Sequence, residues 1–354
     1  MKRILTILLL FAFLLTACSE KSSTDEKNTI QNVTSSTEQT SEYDPFARAD
    51  DDTSSGTIGS FSCGVEWENG KELVLDYAPT VSFEYYVDNS GKDSDFGLLI
   101  FLNGVRQPYR TGENSENQIM HIFDVKQDEH QVQTIAFEPV VGEKGDEVSV
   151  EIITMFQPDY INTEKSSYGF SHRISSLYPS SLSVTQETDL IEPNVCSKYE
   201  VTPITEEMRQ EFNQMSSTGG YGGNALDSGI FIETLKNDVF YTPADRLNSE
   251  SDITPFTMND SVTLCMYGGE LCTYRVSMYI NHELVTGAFD GADYIDITPS
   301  KNSICKKVID LKALNLSLQD DNHLYFIAVP IYTSDNFESR MVLKSASVTL
   351  DSTK

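Results

Sequence analysis

The sequence predicts an all-β chain: two tandem immunoglobulin-like antiparallel β-sandwich domains after a disordered N-terminal tether. Three observations carry this expectation. From Phe61 onward, short β-branched and aromatic runs are separated by turns rich in Gly, Asn and Asp, with little helical periodicity. The order of these runs recurs about 178 residues downstream. From Ser19 to about Ile58, by contrast, Ser, Thr, Glu, Asp, Asn and Gln dominate. Such a segment has too little apolar surface to offset its ordering entropy.

The chain opens with Lys2 and Arg3, followed by an apolar run from Ile4 to Leu15. That run is too short to span a bilayer as a helix and fits the apolar core of a secretory signal. It ends in Leu15-Thr16-Ala17-Cys18, with polar residues from Ser19 onward. This pattern resembles the lipobox of bacterial lipoproteins. The resemblance implies that residues 1–17 are a signal peptide and that Cys18 carries a diacylglyceryl thioether. It also implies a lipid anchor at the extracytoplasmic face of the cell membrane. Two acyl chains are the level at which such anchoring becomes stable. An ordinary cleaved signal leaving a free cysteine is the alternative. Residues 18–58 form the expected tether, and a flexible chain of ~40 residues spans roughly 35 Å root-mean-square.

The first domain is placed at residues 59–190. Val81 to Val87 alternates in part, and the runs Gly97–Leu102 and Val105–Tyr109 flank Asn103-Gly104, a strong hairpin signal. Val132–Phe137 and Val148–Phe156 are two further strands around the turn-rich Gly142–Asp146 loop. The second domain is placed at residues 191–354. Here Ser261–Tyr267 echoes Val81–Val87, and Asn281-His282 stands where the first copy has Asn103-Gly104. Val308–Leu311 and Leu324–Val329 echo the later pair, and Gly229–Glu233 echoes Gly64–Glu68. Because His adopts positive φ less readily than Gly, the second hairpin is expected to use a different turn or a longer loop. Thr205 is positioned to cap a short helix whose stripe of Met208, Phe212 and Met215 would pack on the second sandwich.

Formal charge is −29, and removing residues 1–17 takes away Lys2 and Arg3 but no acid, giving −31. That repels phosphates, so neither nucleic acid nor an anionic lipid surface is an expected charge partner. Cys63, Cys196, Cys265, Cys272 and Cys305 remain after lipidation of Cys18, an odd set that cannot pair completely. If Gly268-Gly269 is a two-residue turn, Cys265 and Cys272 face each other and could form a disulfide. Asp290, Asp293 and Asp296 could supply oxygen ligands to Ca²⁺, although their spacing is not that of an EF-hand. His121, His130, His172, His282 and His323 show no metal-ligand spacing, and no nucleophile elbow or phosphate loop is present. Trp67, Tyr85, Tyr86, Tyr109 and Tyr160 could form a sugar-stacking platform or be ordinary strand packing. The expected function is therefore non-catalytic: a lipid-anchored surface protein binding an unknown protein or polysaccharide, with carbohydrate binding as the alternative.

Overall fold

The computed structural model describes residues 61–66, 74–76, 80–112, 115–160, 172–176, 180–185, 192–210, 226, 230–237, 255–269, 272–331 and 341–352. Eleven strands belong to the first sandwich. They are β1 (Phe61–Val65), β2 (Val74–Asp76), β3 (Val81–Asn89), β4 (Ser94–Leu102), β5 (Val105–Arg106) and β6 (Arg110–Thr111), then β7 (His121–Val125), β8 (Glu129–Phe137), β9 (Glu147–Phe156), β10 (Ile174–Ser176) and β11 (Ser180–Ser183). Twelve follow in the second. They are β12 (Val195–Cys196), β13 (Glu200–Pro203), β14 (Ile230–Lys236), β15 (Phe256–Thr257), β16 (Ser261–Gly268) and β17 (Thr273–Ile280), then β18 (Glu283–Leu284), β19 (Tyr294–Ile297), β20 (Ser303–Asp310), β21 (Asp321–Ile331), β22 (Leu343–Lys344) and β23 (Val348–Asp351).

These strands form four sheets, two per sandwich. The first sandwich has an outer sheet β1-β3-β8-β6 and an inner sheet β2-β11-β9-β4-β5, with β10 on β9 and β7 on β4. The second has an inner sheet β12-β19-β17-β21-β23-β15, with β18 on β17 and β22 on β21, and an outer sheet β13-β20-β16-β14. The repeated sequence order reappears as repeated topology. β1 pairs β3 as β14 pairs β16, and β4 pairs β9 as β17 pairs β21. Even the parallel neighbours match, with β2 beside β11 and β15 beside β23.

Outer strands read as the alternation predicts. In β3, Val81, Phe83, Tyr85 and Val87 are buried while Ser82 and Glu84 are exposed. Inner strands are buried on both faces. From β4, Phe96, Leu98, Ile100 and Leu102 enter the core of the first sandwich, whereas Leu99 and Phe101 point the other way. From β21, Leu324, Phe326 and Ala328 enter the second core, whereas Tyr325, Ile327 and Val329 point the other way. The residues facing the other way meet in a third core, where Leu99, Phe101, Ile153 and Met155 pack on Tyr279, Tyr325, Ile327 and Val329. The two sandwiches are thus stacked back to back in four layers, and each fully buried side chain contributes roughly 1.5–3 kcal/mol of hydrophobic stabilisation. A fourth cluster covers the outside of the second outer sheet, where Ile204, Met208 and Leu226 pack with Phe231 and Tyr267. Thr205 caps the short helix there, its Oγ1 accepting from Met208 N at 3.2 Å; Phe212 and Met215 lie outside the described residues.

The hairpin turns are alike rather than different. Asn103 and Gly104 have φ of 47° and 73°, and Asn281 and His282 have 49° and 68°. Both are two-residue turns with positive φ at each position, which match the twist of the flanking strands. The asparagines act identically: Asn103 Oδ1 accepts from Ser149 N at 2.8 Å, and Asn281 Oδ1 accepts from His323 N at 3.0 Å. His282 therefore occupies a glycine-like conformation, and its side chain shows what holds it there.

Candidate functional site

The His282 turn reaches across the seam to the first sandwich. Its ring Nε2 lies 2.8 Å from the carbonyl of Pro158, and its Nδ1 lies 2.8 Å from the hydroxyl of Tyr325. His323, on the strand beside the turn, places its Nε2 3.1 Å from the same His282 Nε2. His172, which follows the first sandwich's β9, completes a group of three. Its ring centroid lies 4.6 Å from that of His323 and 5.8 Å from that of His282. All three are buried, at 2% exposure for His172, 8% for His282 and 6% for His323.

The hydrogen bonds assign the tautomers. A carbonyl only accepts, so His282 Nε2 carries the proton and donates to Pro158, with His323 Nε2 as a second acceptor. His282 Nδ1 then accepts from the Tyr325 hydroxyl. On the other side, Lys344 Nζ donates to the Ser345 carbonyl at 3.0 Å and to Ser347 Oγ at 2.8 Å. Ser347 Oγ lies 2.7 Å from His172 Nδ1 and donates to it while that nitrogen is unprotonated. Two ring atoms, His172 Nε2 and His323 Nδ1, are buried without a hydrogen-bond partner. Lys344 also stands 4.5 Å over the Tyr325 ring. The cluster is therefore a chain of neutral donors and acceptors beside one half-buried lysine.

Electrostatics follow from that arrangement. Burial pushes His172 down to about 2, helped by the nearby Lys344 and the two other histidines. Burial likewise lowers His282 to about 4 and His323 to about 3. It also pulls Lys344 down to about 7. Every group in the cluster thus disfavours its cationic form.

The site residues expected from the sequence are distributed elsewhere. Asp290, Asp293 and Asp296 do not gather on one point. Asp290 pairs with Lys307, Asp293 accepts from Gly287 N at 2.8 Å, and Asp296 forms a two-pronged pair with Arg275 at 2.9 Å on each prong. Among the described residues no three His, Cys, Asp or Glu side chains are arranged to hold a metal ion, so the calcium expectation is corrected. The expected Cys265–Cys272 bridge is corrected as well. β16 and β17 lie in different sheets, so the segment joining them is a crossover and not a hairpin. Cys265 packs on the outside of the outer sheet and Cys272 beside the inter-sheet core, and both are thiols. Of the five aromatics, Tyr85 and Tyr109 are core and Tyr86 lies on the opposite, outward face of β3, so these three share no platform; Trp67 falls outside the described residues. Cys18 is also outside them.

A second polar group occupies the solvent face of the first outer sheet. His130 lies between Asp88 and Glu66, with Nδ1 toward Asp88 and Nε2 3.1 Å from Glu66. Tyr86 stacks on its ring at 5.4 Å. The hydrogen bond that the His130 ring donates to Asp88 raises its pKa above the ordinary value.

No protein-family model matches the sequence, and no curated protein matches it. Among solved structures, the chain is similar to a CARDB domain from Pyrococcus furiosus in complex with di-metal ions, at 12% identity and a TM-score of 0.23, over 38% of this chain and 99% of that one. It is also similar to a CsuC–CsuE chaperone–tip adhesion subunit complex from Acinetobacter baumannii, at 14% identity and a TM-score of 0.20, over 81% of this chain and 98% of that one. A third is red sea bream transglutaminase, at 10% identity and a TM-score of 0.18, over 84% of this chain and 32% of that one. These are similarities of sandwich architecture, and what those proteins bind or catalyse is theirs.

Proposed function

We propose that the chain is a lipid-anchored, non-catalytic surface protein that binds or scaffolds through its paired sandwiches. The anchor rests on Leu15-Thr16-Ala17-Cys18 and the polar stretch that follows. The binding role draws on one structural observation. The inner sheets cover each other, and the outside of the second outer sheet is covered by Ile204, Met208 and Leu226. The outside of the first outer sheet instead presents Ser82, Glu84, His130, Val132 and Thr134 to solvent. A flat, polar strand face with one stacked aromatic pair suits an extended ligand lying across the strands.

The test has two arms. Cys18→Ala should release the protein from the membrane fraction or leave it unprocessed; normal cleavage with full membrane retention would remove the anchor. Substituting Glu84, Tyr86 and Val132 together should abolish capture of whatever envelope or host component the wild type retains. Unchanged capture would move the binding face elsewhere.

A second reading, carbohydrate binding, is favoured by the Tyr86–His130 pair between Asp88 and Glu66, since an aromatic face beside carboxylates suits a sugar ring. Glycan-array binding lost in Tyr86→Ala would select it, and an empty array would dismiss it.

A further inference from the structure

We propose that the histidine cluster is an acid-sensitive latch between the sandwiches: a proton added to it loosens this end of the seam while each sandwich stays folded. The proposal stands on where the network sits and on what it lacks. His172 and the Pro158 carbonyl come from the first sandwich, and His282, His323, Tyr325, Lys344 and Ser347 come from the second. The His172–Ser347 and His282–Pro158 bonds join one sandwich to the other across the seam, and none of these residues belongs to the core of either sandwich.

Another proton breaks or reverses a hydrogen bond at each ring. His323 Nε2 is an acceptor facing the His282 Nε2–H at 3.1 Å, so protonating it sets donor against donor. Protonating His172 at Nδ1 reverses its bond with Ser347, whose hydroxyl must then accept from both the ring and Lys344. Protonating His282 at Nδ1 removes its acceptance from Tyr325. The added charge would also lie near the Lys344 amine, whose coulombic effect opposes charge on each of the three rings.

The surrounding ionisable groups offer no compensation. On the first sandwich, Asp159 follows Pro158, and its own pKa is raised by burial and by Asp95 and Asp124, so it resists becoming an anion. Arg173, beside His172, is another cation, placed 5.9 Å over the Phe156 ring. On the second sandwich, Glu283 follows the turn but is solvent-exposed, and the Tyr325 and Tyr279 hydroxyls are pushed up by burial and stay neutral.

The sign follows directly. Histidines whose pKa is depressed in the closed state bind protons more readily once the seam opens. The histidine contribution to the closed state is therefore fully present above about pH 6.5 and is lost as pH falls below it. At about pH 5, one released histidine with an ordinary pKa of 6.5 shifts the open–closed balance about 30-fold toward open. Lys344 acts in the same direction at higher pH: with its pKa pulled down to about 7 in the closed state, its contribution is lost as pH falls from about 10.4 to about 7 and is constant across the histidine window.

Hydrogen exchange on the intact chain tests this, compared at about pH 7.5 and about pH 5 after correction for intrinsic exchange. Protection in β17, β21 and the segment around Pro158 should fall at least 10-fold at the lower pH. Protection in β3, β8, β16 and β20 should be retained. Equal seam protection at both pH values would overturn the latch, and so would loss of protection throughout both sandwiches together. As an independent readout, the ring protons of these histidines should stay untitrated to well below pH 6 in the closed protein, and titration near 6.5 without opening would also overturn it. His172→Gln, which keeps a polar group but cannot ionise, should weaken the acid response; an undiminished response in that variant would exclude His172 from the latch.

Discussion

Gly104 is a position at which the seam is sensitive to a single methyl group. Its φ of +73° costs a non-glycine residue about 1 kcal/mol. A Cβ there would also lie 2.8 Å from Arg275 Cβ, 3.3 Å from its Cγ and 3.4 Å from its Cδ. Arg275 cannot step aside cheaply. Its Nε and Nη2 are bound to Asp296 at 2.9 Å each, and its Nη1 donates to the Asn103 carbonyl of the same turn at 3.2 Å. Overpacking of this kind costs typically 1–3 kcal/mol. Gly104→Ala should therefore lose about 2–4 kcal/mol in urea unfolding. Gly112→Ala is the control, because Gly112 has a similar φ of +70° and nothing within 4 Å of its added Cβ. That variant should lose only about 1 kcal/mol, and the entropic effect of the new methyl on the unfolded chain is common to both. Equal losses at the two positions would refute the claim that the turn is pressed against the second sandwich.

Other outcomes follow from individual contacts. Asp260 is held below the usual carboxylate range, to about 2: burial opposes ionisation, but hydrogen bonds from Thr257 and Asn237 and the Lys236 amine outweigh it. Asp260→Asn should cost about 2 kcal/mol at neutral pH, and because the folded pKa is depressed, that gap should close as pH falls from about 4 to about 2; a gap constant across that range would refute the assignment. Tyr85 bonds across the first core to Thr154, joining its two sheets, so Tyr85→Phe should lose about 1–2 kcal/mol in thermal or urea unfolding. Alkylation of the denatured chain without reductant should label both Cys265 and Cys272, and a linked peptide containing both would overturn the crossover between β16 and β17.

Much of the fold is written in local pattern. Val81-Ser82-Phe83-Glu84-Tyr85 alternates because one face meets the core and the other meets water, and the structure places those residues accordingly. The Asn103-Gly104 turn is legible for the same local reason. The stacking of the sandwiches also left a trace, in runs such as Leu98-Leu99-Ile100-Phe101-Leu102 and Leu324-Tyr325-Phe326-Ile327-Ala328-Val329. Continuous apolar strands are what burial on both faces requires, yet such a run reads equally as a central strand of any sandwich. The histidine cluster was least legible. His172, His282 and His323 have no shared spacing, because they converge through the packing of two separate sandwiches. The one local signal was a histidine where the repeat has glycine. It suggested an altered turn, whereas the turn is unchanged and the ring is held by Tyr325, His323 and Pro158.

The contacts across the seam are reciprocal: the Asn103–Gly104 turn of the first copy lies on Arg275 of the second, and the Asn281–His282 turn of the second lies on Pro158 of the first. Such an arrangement resembles a homodimer whose subunits have been joined into one chain. Joining them makes the association independent of protein concentration, since the partner is always tethered at high effective concentration. It also lifts a restriction that symmetry imposes. In a dimer of identical subunits, a change in the turn alters both halves of the interface at once. Here one end can keep a glycine pressed against an arginine while the other holds three uncharged imidazoles, so a single interface has one end fixed by shape and another free to answer to protons.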